Sequence, residues 1–119
     1  MISKKILNKE QAMYAVKNKE FEKSVISSKS KVIVILTQDW CPQWIYMKSW
    51  VSGLEIEEDI EIYELEYNKV DYCSEFMAFK ESCWKNYNVP YLRFYKEGEL
   101  ARETNYISKE SLIEIIDAL

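Results

Sequence analysis

Residues 32 to 44 read Val32-Ile33-Val34-Ile35-Leu36-Thr37-Gln38-Asp39-Trp40-Cys41-Pro42-Gln43-Trp44. Val32 to Leu36 is an unbroken apolar run of strand length. A run without alternation predicts burial on both faces, as in a parallel or mixed sheet with helices above and below. The turn that follows presents a cysteine, and Pro42 then starts a helix. Proline suits the first helical position because it has no N–H to lose. Cys41 therefore falls at a helix N-terminus, where unpaired N–H groups and the helix dipole favour an anion such as a thiolate. Three residues on, where a second cysteine would complete a local redox pair, stands Trp44.

Downstream, the helix should run from Pro42 to about Ser52, with Gly53 as its C-cap. Glu55 to Asp59 is an acidic loop. Ile60, Ile62, Leu65 and Tyr67 mark a second strand with imperfect alternation. Asp71 to about Tyr87 reads as an amphipathic helix with Tyr72, Phe76, Phe79, Cys83 and Tyr87 on one stripe. Asn88-Val89-Pro90 ends it, because a residue before proline avoids the helical region. Tyr91 to Tyr95 and Leu100 to Thr104 are strands joined by Lys96-Glu97-Gly98-Glu99, a three- to four-residue hairpin with a bulge. Ser108 caps a last helix with Leu112, Ile115, Ile116 and Leu119 on one face.

Upstream, Asn18 to Ser28 carries Phe21, Val25 and Ile26 at helical spacing, with Asn18 as the cap. Ala12 to Val16 fits either a short strand or the end of a helix begun near Asn8. Residues 1–11 read as an N-terminal extension of one domain spanning 1–119.

Composition narrows the chemistry. The chain has 119 residues, enough for a single core, and only two glycines and two prolines, so regular structure dominates. The net charge of -4 comes without a basic cluster, which excludes sequence-independent nucleic-acid binding. No apolar run is long enough to span a membrane. Met1 to Lys9 is basic but has no apolar centre, so it does not read as a secretory signal, and a cytoplasmic location is expected. There is no histidine, which removes Ser-His and Cys-His nucleophile pairs and any histidine metal site. Three cysteines, Cys41, Cys73 and Cys83, are too few for a cysteine-only zinc site. No metal and no tightly held cofactor are expected, and the odd cysteine count reads as free thiols.

The constellation resembles the thioredoxin family across about Ala12 to Leu119. Trp40-Cys41-Pro42 matches the start of that family's Trp-Cys-x-x-Cys site. Val89-Pro90 matches its cis-proline, Phe21 opens a helix at the usual distance before the cysteine, Gly98 sits in the final hairpin, and Ser108-Lys109 opens the last helix. The resemblance implies an α/β thioredoxin fold, a central mixed sheet of four or five strands flanked by helices. Two departures stand out. The second cysteine of the pair falls on Trp44, and the family's buried acid, six positions before the nucleophile, falls on Ile35. Losing both together is coherent, because without a resolving thiol there is nothing there to deprotonate. The residue after the proline, commonly threonine in the family, is Tyr91.

What remains is a single nucleophile. Cys41 can attack a disulfide and form a mixed disulfide with a protein or a low-molecular-weight thiol. Release then needs another thiol, from outside or from Cys73 near the start of the third helix, if the two Cα atoms can come within ~7 Å. Cys83 lies too far along that helix to pair with Cys73. Trp40, Pro42, Trp44, Val89, Pro90 and Tyr91 are the expected lining of the substrate groove, with Trp44 alternatively a packing cap over the missing sulfur's place. The second functional reading is a redox-silent module that uses the same groove to hold a peptide or protein partner.

Overall fold

The apolar run becomes the middle of the sheet. In a computed structural model describing Met1 to Leu119, the elements are β1 (Ile2–Ile6), α1 (Lys9–Asn18), α2 (Lys23–Ile26), β2 (Lys31–Thr37), α3 (Pro42–Val51), β3 (Ile60–Glu66), α4 (Cys73–Ser82), β4 (Tyr91–Lys96), β5 (Glu99–Thr104) and α5 (Lys109–Ala118). A 3-10 turn at Tyr67–Lys69 links β3 to α4.

The five strands lie in the order β1-β3-β2-β4-β5. β1 and β2 run parallel to β3, while β4 runs antiparallel to both β2 and β5. All seven residues of β2 are buried, as a strand covered on both faces requires. Its side chains alternate between two cores. Val32, Val34 and Leu36 join Ala12, Phe21, Val25, Phe76 and Phe79, the face covered by α1, α2 and α4. Ile33 and Ile35 join Trp44, Met47, Leu112 and Ile116, the face covered by α3 and α5.

Residues 1–11, taken from the sequence as an extension, instead hold an edge strand and the first helical turn. Ile2 to Ile6 pairs with Ile60 to Glu64, and the terminal ammonium donates to the Glu57 and Glu58 carbonyls at 2.6 Å each. The strand carries no apolar pattern because little of it is buried: Ile6 is 82% exposed. Ladder hydrogen bonds, not an apolar pattern, hold it. Ala12 to Val16 is helical, and the helix starts at Asn8, whose side chain accepts from Gln11 N while Gln11 reaches back to Asn8 N. It stops at Lys19, in the left-handed region at φ 69°. Asn18 therefore ends α1 and caps nothing, and the expected helix over 18–28 shrinks to the single turn α2.

Two further boundaries differ. α4 ends at Ser82 rather than near Tyr87, with Lys85 left-handed at φ 56° and Tyr87 turned 67% to solvent. The β4–β5 turn has two residues, Glu97 at φ 51° and Gly98 at φ 78°, the pair of left-handed residues that matches strand twist. The bulge lies inside the strands, where the register shifts between Phe94 and Tyr95. α3 closes at Ser52, so Gly53 follows the cap instead of forming it.

Candidate functional site

Cys41 occupies the N-cap position of α3, with extended backbone (φ -70°, ψ 117°) and Pro42 as the first helical residue. Its N–H donates to Gln38 O at 3.2 Å, and its carbonyl accepts the first helical bond from Ile45 N at 2.9 Å. The turn before it is pinned to the segment after β3. Asp39 N donates to Asn68 Oδ1 at 2.9 Å, and Asn68 Nδ2 returns to Asp39 Oδ1 at 2.6 Å.

The sulfur is nearly covered: Cys41 is 5% exposed and belongs to the α3/α5-side core. Its Sγ donates to the Val89 carbonyl at 3.5 Å. The next peptide, Val89–Pro90, is cis. Sheet register makes this meeting inevitable, because Ile35 faces Leu92 and Leu36 faces Tyr91. The residues just before β4 must therefore lie beside the turn that leaves β2.

Trp44 is enclosed and offers almost no surface to a substrate. It is 1% exposed, packed under α3, and its indole Nε1 donates to Glu66 Oε2 at 2.8 Å. Lys48 donates to the same oxygen at 3.3 Å, and Lys69 to the other oxygen of that carboxylate at 3.2 Å. Burial would raise the Glu66 carboxyl, but the bonds from Trp44, Lys69 and Lys48 hold it below its ordinary value. Of the two roles open to Trp44, the packing role is the one the geometry supplies.

Tyr91 is likewise enclosed, at 0% exposure on the opposite face of the sheet. Its hydroxyl donates to Glu103 Oε1 at 2.5 Å and accepts from Arg93 at 2.7 Å. Arg93 also donates to Tyr95 OH and Glu20 Oε2, at 2.7 Å each, and stacks over Trp84 at 4.0 Å. The surroundings of Tyr91 are thus an internal polar network, with no opening for a substrate. The residues that remain around the thiol are half-buried Val89 and buried Pro90 on one side, and exposed Pro42 and Trp40 on the other. Trp40 is 60% exposed, and Ile45 and Tyr46, on the outer surface of α3, are 57% and 61% exposed.

The three cysteines are all free, and Cys73 is not brought to Cys41. It starts α4 and packs against the α1/α4-side core, whereas Cys41 belongs to the other core. α3 and α4 cover opposite faces of the sheet, so the sheet separates the two side chains. Cys83, at the C-cap of α4, is half-buried against the same core as Cys73.

Sequence reasoning missed the groups that hold the proline loop. Lys80, only 1% exposed, donates to the carbonyls of Asn86 and Asn88 at 2.9 Å each. Asn105, just after β5, donates to Asn88 O at 3.2 Å and Pro90 O at 3.0 Å. A signal was present: Phe76, Phe79, Lys80 and Cys83 share one helical stripe, and a lysine on an apolar stripe needs internal acceptors.

No protein-family model and no curated protein matches this sequence. Solved structures do match. The chain is similar to thioredoxin O1 of Arabidopsis thaliana in its oxidised state, with a TM-score of 0.69 at 14% identity over 99% of this chain and 96% of that one. For thioredoxin O2 of the same plant the TM-score is 0.66 at 18% identity over 98% and 94%. For a point-mutant thioredoxin from Halobacterium salinarum it is 0.63 at 18% identity over 81% and 80%. The chain has the α/β thioredoxin fold, a mixed five-stranded sheet flanked by helices.

Proposed function

We propose that this chain is a thioredoxin-like protein that exchanges disulfides through the single thiol of Cys41. One observation carries the reading: a thiol at the first turn of α3 lies 3.5 Å from the carbonyl that precedes the Val89–Pro90 bond. A helix N-terminus favours a sulfur anion, and an extended chain beside the proline could pair with the backbone there. In the reaction, the Cys41 thiolate attacks one sulfur of a disulfide. That S–S bond breaks, its electron pair leaves on the distal sulfur as a thiolate, and a Cys41–sulfur bond forms. An external low-molecular-weight or protein thiolate then attacks the mixed disulfide, takes the partner's sulfur and releases Cys41 as a thiolate. The resolving thiol is external because Cys73 packs on the other side of the sheet. Trp40 and Pro42 on one side, and Val89 and Pro90 on the other, frame the approach. A reducing compartment such as the cytoplasm would keep all three cysteines in the free state this chemistry needs.

A second reading has its own support. The thiol is only 5% exposed, while Trp40, Ile45 and Tyr46 beside it are open to solvent. A redox-silent module would bind a protein or peptide through that aromatic rim.

Incubation with glutathione disulfide and with a small aromatic disulfide, read by intact mass and peptide mapping, separates the two. Exchange requires a mixed disulfide on Cys41, its loss in Cys41→Ser, and its release by added thiol. If Cys41 in the folded protein reacts no faster than the cysteine of a short unstructured peptide, the exchange reading is lost and the binding reading stands.

A further inference from the structure

We propose that Lys80 and Asn105 are positioning residues for the Cys41 thiol, clamping the Asn86–Pro90 segment so that the Val89 carbonyl stays seated on the sulfur. The inference rests on Cys41 being the reacting group, and it says what governs access to that group.

The Val89 carbonyl is bracketed on both sides. On one side, Asn88 O accepts from Lys80 Nζ at 2.9 Å and from Asn105 Nδ2 at 3.2 Å. On the other, Pro90 O accepts from Asn105 Nδ2 at 3.0 Å. Between them, Val89 O takes the Cys41 Sγ–H at 3.5 Å. Further back, Asn86 is held by its carbonyl to Lys80 and by a reciprocal pair of amide bonds to Asn105, each 3.0 Å. A main-chain bond from Asn86 N to Lys80 O at 3.3 Å closes the loop onto the end of α4.

This clamp draws on three separate pieces of chain: α4 supplies Lys80, the segment after β5 supplies Asn105, and the loop between α4 and β4 is what they grip. Burying a lysine amine is costly unless its donors are used. Here both carbonyl bonds go to the loop that covers the thiol. Loosening either grip should let Val89 swing off Sγ and raise the fraction of time a reagent can reach the sulfur.

The experiment is native-state alkylation with iodoacetamide, quantified by peptide mapping at Cys41 and, as an internal reference, at half-buried Cys73. The variants are Asn105→Ala, Asn105→Asp and Lys80→Met. Asn105→Asp keeps the size and the acceptor but replaces the amide donor with a carboxylate facing two carbonyls. Each variant should speed Cys41 alkylation by about tenfold, the factor that about 1.4 kcal/mol of lost hydrogen bonding corresponds to, with the Cys73 rate unchanged. Asn105→Asp should match or exceed Asn105→Ala, which a purely space-filling role would not produce. A Cys41 rate that is unchanged or slower, or one that rises only in parallel with Cys73 as general loosening would give, overturns the proposal. If Lys80→Met does not fold, the Asn105 pair decides alone. Because alkylation needs no disulfide partner, the outcome is readable even where Cys41 fails to exchange.

Discussion

The indole of Trp44 and the carboxylate of Glu66 are joined by a 2.8 Å hydrogen bond beneath the first turn of α3. The bond ties the helix that starts at Cys41 to the end of β3. It also explains why the second position of a redox pair is closed: a buried side chain with its own acceptor fills the space.

Trp44→Ala should therefore destabilise the fold by about 3–5 kcal/mol, the usual cost of emptying a large aromatic site. Trp44→Cys restores the spacing of a dithiol pair and should still lose most of that stability, because a thiol neither fills the volume nor reaches Glu66. Trp44→Phe keeps most of the packing and gives up the hydrogen bond, so the loss should be about 1–2 kcal/mol. Urea midpoints at a common pH order the three variants.

Arg93, 3% exposed, holds Tyr91, Tyr95 and Glu20 together. Removing it leaves Glu20 and two buried hydroxyls short of a donor. Arg93→Met should cost about 1–3 kcal/mol for each of the two hydroxyls left without its donor. Glu20→Gln should cost less, because glutamine keeps an oxygen that can accept from Arg93 or Tyr95, whereas Arg93→Met removes every donor that the guanidinium gives the network. Denaturant melts of the two variants test the asymmetry.

Burial pushes the Lys80 amine down to about 8, opposed by the neighbouring Glu81 carboxylate. From β4, the un-ionised Tyr91 ring lies 5.5 Å from Nζ, with Arg93 beyond it. In the unfolded chain a lysine holds its proton to ~10.4. Between these values the unfolded state binds the extra proton, so this residue makes the fold more stable as pH rises from about 8. Below that range the cost of the buried charge is fully present, and only the two carbonyl bonds offset it. The stability of wild type relative to Lys80→Met should therefore rise with pH above about 8, while the buried tyrosines common to both proteins cancel from the difference. Urea midpoints measured from about pH 7 to 10, a range that spans the folded value and approaches the unfolded one, read the difference in slope.

Mild oxidation of the native protein should leave no Cys41–Cys73 link, because the side chains belong to cores on opposite faces of the sheet. Peptide mapping after oxidation checks this. Recovery of the cross-linked peptide from folded protein would contradict the placement.

The two glycines should respond oppositely to alanine. Gly98 has φ 78°, and an added Cβ would meet Ser27 at 3.2 Å, so Gly98→Ala should cost about 1 kcal/mol or more. Gly53 has nothing within 4 Å and no left-handed backbone, so Gly53→Ala should be neutral or add a few tenths of a kcal/mol. Thermal melts distinguish them.

Much of the frame was legible in the residues. Val32 to Leu36 announced a strand buried on both faces, Pro42 a helix start with Cys41 just before it, and Ser108 a last helix. Each of these is a local signal, in which an apolar run, a missing N–H or a capping hydroxyl acts within a few residues of itself. β1 was not legible, because an edge strand held by main-chain bonds needs no apolar pattern. Tyr91 was expected to line a groove and lies inside, and Trp44, which had two roles open to it, takes the packing one, because their polar ends find partners in Glu103 and Glu66 on strands remote in sequence or register. Lys80 was hidden for a related reason: its acceptors are backbone carbonyls, which every residue carries.

The order of residues alone thus settled that a cysteine would open a helix behind a central strand, in a chain without histidine or a neighbouring thiol. Whether that sulfur would be open or covered, and which groups would cover it, was decided by the sheet. Pairing Leu36 with Tyr91 brings the Val89 carbonyl onto Sγ, and placing α3 and α4 on opposite faces keeps Cys73 away. Those outcomes depend on strand register and layer order, which arise only when distant segments pack together.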